Sequence, residues 1–389
     1  MTAGASPGGG PSPLRRQFLQ GVLWTMIPSW VLAAVVAPPA RGAAAPGRRV
    51  PSVVDVRDHG AVGDGIHDDT GAFQATIDAM PASGGTVRVP AGRYLIDAAR
   101  SVRLRSHVHL LMDADARLIA IPNALERSYV ILVEDVDDVT IRGGRIVGER
   151  AGHRGSSGEW GHGISVHGAR RVTVADVEVS ACWGDGICIG TIFGRGGLMK
   201  VATDVTIERV VCRGNRRQGL SITSSRRVKV LDSQFTDTGG TRPGCGIDVE
   251  PGTRRMGAVD VLIARCTVSG NQGSGVQLDG INVSRLRLEH CEIRDNHGYG
   301  VLMSGVNHAV IADNTIADNG LTGALVRENV SECRIAGNTF RNNSTRRLHQ
   351  ALKQVRRRLA GVSPAHGTGD LKVRDGARAI VLGGNRFDP

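Results

Sequence analysis

Leu262-Ile263-Ala264-Arg265-Cys266-Thr267-Val268-Ser269-Gly270-Asn271 decides the fold, because three later stretches repeat its pattern. They are Arg287-Leu288-Glu289-His290-Cys291-Glu292-Ile293-Arg294-Asp295-Asn296, then the runs ending at Asn319 and Asn343. The period is about 24 residues, in the range of stacked repeat architectures. Upstream, Cys182, Asn215 and Thr238 occupy the same slot, with longer spacings where loops are inserted. A Gly and an alternating strand follow each slot, as in Gly219-Leu220-Ser221-Ile222-Thr223, Gly246-Ile247-Asp248-Val249-Glu250 and Gly275-Val276-Gln277-Leu278-Asp279.

Period-two alternation sends one set of side chains inward and the other outward. A unit this short cannot bury its apolar face alone, but stacked coils can, each resting on the last about 4.8 Å away. Val and Ile strands without an intervening helix or Leu signature exclude leucine-rich repeats. The sequence predicts an all-β fold, a single-stranded right-handed parallel β-helix. Residues 68–80 read as a capped amphipathic helix covering its N-terminal end.

Composition agrees. The chain has 389 residues, 53 of them Gly, 3% aromatic residues and a net charge of +11. The apolar content of 41% excludes a wholly disordered chain. Arg15-Arg16, an apolar run from about Val22 to Ala37, and Ala43-Ala44-Ala45 have the layout of a twin-arginine export signal over residues 1–45. The β-helix domain then spans 46–389: an entry module at 53–97, coils at 98–343, and a basic helix with a last coil at 344–389. Thr345 to Leu359 is rich in Arg and reads as a solvated helix face, not a nucleic-acid module. No stable membrane anchor is expected after signal removal.

Stacking the repeats places outward residues side by side. Two rows emerge on one face: Ser165, Cys188, Ser221, Asp248, Gln277, Leu302, and His167, Gly190, Thr223, Glu250, Asp279, Ser304. Asp248 and Glu250, at i and i+2, point to one side about 6.5–7 Å apart. That spacing suits an acid and a base with water between them. Neighbouring carboxylates raise one another's proton affinity, and Asp279 adds to this. Asp185, two coils away, is an alternative base. Arg216, Arg217 and Gln218 lie between these acids, where guanidinium forks suit sugar carboxylates. Trp160 and Trp183 share a slot on adjacent coils and are candidate stacking platforms, with His162 a candidate proton shuttle. Cys266 and Cys291 belong to an interior ladder continued by Asn314 and Asn338, so no metal site is expected there.

Val54-Asp55-Val56-Arg57-Asp58-His59-Gly60-Ala61-Val62-Gly63-Asp64-Gly65-Ile66-His67-Asp68-Asp69-Thr70, with Gly84-Gly85-Thr86-Val87-Arg88-Val89-Pro90-Ala91-Gly92-Arg93-Tyr94-Leu95-Ile96, resembles the entry module of the pectate-lyase superfamily. Gly161-His162-Gly163 resembles a polygalacturonase triplet, and Tyr299-Gly300 the start of a mannuronan-epimerase motif. The resemblance implies an exported enzyme acting on a polysaccharide, and the basic surface favours an acidic one. Hydrolysis by Asp248 and Glu250, with no cofactor, is the leading expectation. One alternative is β-elimination or uronan epimerisation, with an Arg base and Ca²⁺ held by Asp185, Asp248 or Asp279. Another is a non-catalytic glycan-binding surface solenoid.

Overall fold

The computed structural model describes residues 52–193, 197–252, 256–345 and 369–388. The expected export signal and the basic segment after Thr345 lie outside these residues. Each coil contributes three short strands, and equivalent strands of successive coils pair in parallel. One face forms a 12-stranded sheet from Asp64–Asp68 to Arg386–Asp388. The other two faces share hydrogen bonds in a 21-stranded sheet, because strands such as Val276–Glu289 run round the corner between them. Thr191–Phe193 pairs antiparallel with Met199–Val201, a hairpin that carries one of the inserted loops.

The outward row stands in the predicted register. Ser165 pairs with Cys188, Cys188 with Ser221, Ser221 with Asp248, Asp248 with Gln277, and Gln277 with Leu302. The alternate residues Ile187, Ile189, Leu220, Ile222, Ile247 and Val249 are fully buried in one continuous core. The repeated Gly has a packing reason: a Cβ at Gly186, Gly219 or Gly246 would meet the next coil's carbonyl oxygen at 2.5–3.0 Å. Any side chain there would force the coils apart, so the slot admits Gly alone.

Two side-chain ladders stitch the later coils. Asn271 Nδ2 donates to Asn296 Oδ1 at 2.8 Å, Asn296 to Asn319 at 3.0 Å, and Asn319 to Asn343 at 2.9 Å. In a second row the Cys266 amide donates to Cys291 Sγ at 3.4 Å. The Cys291 amide donates to Asn314 Oδ1, and Asn314 Nδ2 to Asn338. The expected interior ladder is therefore present, and all seven cysteines are free and buried. Outside, turn residues with left-handed backbone alternate in charge: Asp204, Arg227, Asp260 and Arg285 follow one another, with Arg227–Asp204 and Arg285–Asp260 pairs at 2.6 Å. Asp and Asn are the non-glycine residues that enter this conformation most readily, and the charges add only weak surface pairing.

The helix spans Thr70–Ala79, shorter at both ends than expected. Asp68 accepts from the Thr70 amide and hydroxyl, while Asp69 accepts from the Val62 and Gly63 amides. These carboxylates are consumed by turns, so the helix begins two residues later than the sequence pattern suggests. Phe73 and Ile77 anchor it in the core, and Arg105 donates to the Ile77 and Met80 carbonyls at its C-terminal end.

Candidate active site

The site grows from the slot immediately before the repeated Gly. Its occupants on successive coils are His162, Asp185, Gln218 and Cys245, and two of them accept an amide from the next coil. The Asp185 amide donates to His162 Nδ1 at 3.0 Å, and the Cys245 amide to Gln218 Oε1 at 2.8 Å. These contacts hold the side chains of the slot over the strands that follow. As a result the outward row is not solvent-exposed: Ser165, Ser221 and Asp248 are buried, Asp248 to 1% exposure.

Asp185 is the centre of the upstream half. Arg217 Nη1 donates to both its oxygens at 3.3 and 3.2 Å, and Ser221 Oγ donates at 2.8 Å. Burial still pushes its pKa up to about 6, against the opposing pull of Arg217 and the hydroxyl. Arg217 also reaches Glu159, with Nε 3.3 Å from Oε2 but misaligned for a hydrogen bond. Its charge is thus shared by two protein carboxylates. His162 Nδ1 is an acceptor, so the ring proton sits on Nε2, and burial beside Arg217 and Arg127 lowers the imidazole to about 3. His167 is lowered to about 4 for the same first reason, and Tyr129 stacks on His162 and meets His167 edge-on. Both imidazoles are neutral at pH 7.

Asp248 dominates the downstream half. Gln218 Nε2 donates to its Oδ2 at 2.6 Å, and Oδ1 is buried with no hydrogen-bond partner. Burial first, and the charge of Glu250 second, raise Asp248 to about 8. The carboxyl is therefore protonated at neutral pH. Glu250 is exposed, Asp279 half-buried, and neither carboxylate has a hydrogen bond or ion pair among the described residues. They line a hollow of about 260 Å³ with Pro251, Gly252, Gly280 and Ile281. On the other side of the Asp248 row, Gln277, Ser274, Tyr299, Leu302 and Pro243 line a cleft of about 600 Å³, large enough for a small oligosaccharide segment.

The two tryptophans and Arg216 stand apart from this centre. His153 stacks on Trp183 with 3.8 Å between ring centroids, and the Arg216 guanidinium lies 3.7 Å from the Trp183 centroid. Two groups at that height cannot share one face, so neither face of Trp183 is open. Arg216 also donates to the carbonyls of Gly158 and Trp183, anchoring the 149–159 loop. Trp160 is 38% exposed, with Arg127 over its ring at 5.1 Å. The structure thus brings Asp185, Arg217, His162, Gln218 and Asp248 into one buried polar cluster, with Glu250 and Asp279 in the hollow beside it, while Arg216 and Trp183 hold the neighbouring 149–159 loop. Tyr129, His167 and Ser221 were missed by sequence. Ser221 and His167 stood in the stacked rows but carry no charge at neutral pH.

His162, Asp185 and Cys188 lie close enough to share an ion. They fit a metal poorly. Arg217 occupies both Asp185 oxygens, and burial raises the Cys188 thiol, keeping it protonated. Glu250 and Asp279, hard oxygen donors on adjacent coils, fit Ca²⁺ in kind.

A model of the right-handed β-helix region matches residues 123–260 and 243–357, more than half of the chain. The chain therefore belongs to the right-handed β-helix family. A second model, described as rhamnogalacturonase A/epimerase, pectate lyase-like, matches residues 53–146, which covers the entry module. Among curated proteins, the uncharacterized protein YclG of Bacillus subtilis is 30% identical over 224 residues, 51% of this chain and 38% of its own length. Mannuronan C5-epimerase AlgE2 of Azotobacter vinelandii is 28% identical over 254 residues, 58% of this chain and 25% of its own. The chain spans less than two fifths of the length of either. Among solved structures, the A-module of A. vinelandii mannuronan C-5 epimerase AlgE4 superposes with a TM-score of 0.59 at 20% identity, covering 87% of this chain and 98% of that one. The Streptococcus pneumoniae surface protein and adhesin PfbA does so with 0.63 at 16%, covering 86% and 97%. These likenesses establish the fold.

Proposed function

We propose that the protein is an exported enzyme that cleaves a polysaccharide by glycosidic hydrolysis, with Asp248 as general acid and Glu250 as base. The observation that carries this reading is the Asp248 carboxyl: buried, one oxygen unpartnered, and flanked by Glu250 and Asp279, whose carboxylates have no ion-pair partner among the described residues. Burial, and after it the charge of Glu250, keep it protonated, which is what leaving-group protonation requires, while exposed Glu250 is placed to activate water. The clefts on either side of the Asp248 row give a glycan chain a path along the rod. Similarity to mannuronan C5-epimerases supports a polysaccharide as the ligand. The export-signal layout in the first 45 residues supports action outside the cytoplasm.

A second reading is proton abstraction beside a uronate carboxylate, by elimination or epimerisation. It is favoured by the two neutral imidazoles packed on Tyr129 and by the similarity to epimerases. In that reading Glu250 and Asp279 would hold Ca²⁺, which would neutralise the substrate carboxylate. Incubation with a panel of uronans and neutral glycans separates the readings. New reducing ends without an absorbing product support hydrolysis, and an unsaturated product absorbing in the ultraviolet supports elimination. Changed monomer composition at constant chain length supports epimerisation. Glycan binding that is unaffected by Asp248→Asn and Glu250→Gln, with no product, points to a binding solenoid instead.

A further inference from the structure

Gln218 is completely buried between two coils, and its amide is fixed from both ends. The Cys245 amide donates to one end at 2.8 Å, and the other end lies 2.6 Å from Asp248 Oδ2. A backbone N–H can donate only to the side-chain oxygen, so the Gln218 NH₂ must face Asp248. That group donates and cannot accept, so Asp248 Oδ2 is an acceptor. In a protonated carboxyl the carbonyl oxygen is the better acceptor, which leaves the proton to Oδ1, the oxygen without a protein partner. We infer that Gln218 is a positioning residue: it locks the Asp248 carboxyl so that Oδ2 is its carbonyl oxygen and Oδ1 carries the transferable proton.

The inference deepens the acid role proposed for Asp248 and rests on that reading only for its catalytic meaning. The lock itself follows from the hydrogen-bond chain Cys245–Gln218–Asp248. A different occupant of the slot would not provide it. Upstream, His162 accepts an amide in the same manner, but its partner Asp185 faces Arg217 and Ser221 instead. Gln218 alone among these slot residues passes the contact on to a carboxyl through a neutral donor.

The test needs no substrate. Infrared difference spectra of the full chain at pH 5, wild type minus Asp248→Asn, isolate the carbonyl stretch of protonated Asp248. Removing the donor with Gln218→Met should shift that band to higher frequency, because its carbonyl loses a hydrogen bond. Gln218→Glu, which keeps the shape and the bond to the Cys245 amide, should move the Asp248 titration midpoint upward through an added acid. A band that stays in place in Gln218→Met would mean that Oδ1 is the carbonyl oxygen and would overturn the inference. So would a Gln218→Glu variant with an unchanged Asp248 midpoint, which also covers the case in which Gln218→Met does not fold. Absence of any Asp248 carboxyl band in the wild type at pH 5 would overturn it as well. Absence of glycan cleavage with the band shift present would sink the enzymatic reading and leave the lock standing.

Discussion

The coils from Trp160 to Glu250 and those from Cys266 to Asn343 are built on the same repeat, yet they use it differently. In the later coils the slot before each strand is held by Asn271, Asn296, Asn319 and Asn343, each bonded to the next. In the earlier coils the slot holds Cys182, Asn215 and Thr238, and Thr238 Oγ1 is buried without a partner. The outward row also changes, from Ser165, Ser221 and Asp248 to Gln277, Leu302 and Leu325. Regular hydrogen bonding is spent on stacking in the later coils. In the earlier ones it is interrupted, and buried polar groups gather instead. Local departures from an otherwise consistent pattern mark functional sites. The same physics teaches why the acid sits where it does: a carboxyl roofed by side chains of the neighbouring slot loses hydration and keeps its proton.

The largest expected effect separates the two regions by activity. Asp248→Asn should lower turnover of the cleaved glycan about 10²–10⁴-fold, the range for losing a general acid. Its fold should persist, because the amide oxygen can still accept from Gln218. Asn296→Ala should do the reverse. It leaves the Asn271 backbone amide unpaired in the interior, at about 1–3 kcal/mol, and takes one of two acceptors from the Asn271 side-chain amide, which keeps the Phe235 carbonyl. Thermal melting should fall while turnover holds, and equal loss of activity would mean that the regions are not separable. Glu250→Gln removes the charge that contributes most after burial to Asp248, so the Asp248 midpoint should move down from about 8. A titration of that carboxyl by infrared or carbon NMR checks it. Arg227→Gln, in the exposed charge row, should leave both melting temperature and turnover unresolved from wild type, since exposed pairs add little.

The stacking was legible because hydrophobic alternation and the recurrent Gly leave one register open. Asp248 beside Gln277 and Ser221 followed from that register alone. What the rows could not reveal was their roof. The burial of Ser165, Ser221 and Asp248 depends on slot side chains folding over the strands, and nothing in a period-two pattern encodes that. Trp183 and Arg216 were readable as groove residues only while the 149–159 loop had no conformation. Once His153 lies on one face of the indole and Arg216 on the other, both residues belong to the wall. Arg217 was legible as a carboxylate partner, but its partners are Asp185 and Glu159 of the protein itself. The expectation of an acidic substrate drawn from that arginine pair therefore loses its two named cations.

Everything proposed for the site depends on Asp248 holding its proton in the folded chain far more tightly than in the unfolded one. Burial first, and the charge of Glu250 second, raise its pKa from 3.8 to about 8, so the protonated form fits the fold and the ionised form is penalised. The penalty is absent below pH 4, grows as pH rises through the interval, and is complete above pH 8. Comparing thermal unfolding of wild type and Asp248→Asn from pH 4 to pH 9 measures it directly. The asparagine variant should gain steadily on the wild type across that interval, with most of the gain between pH 5 and 8. A difference between the two proteins that stays constant with pH would contradict it.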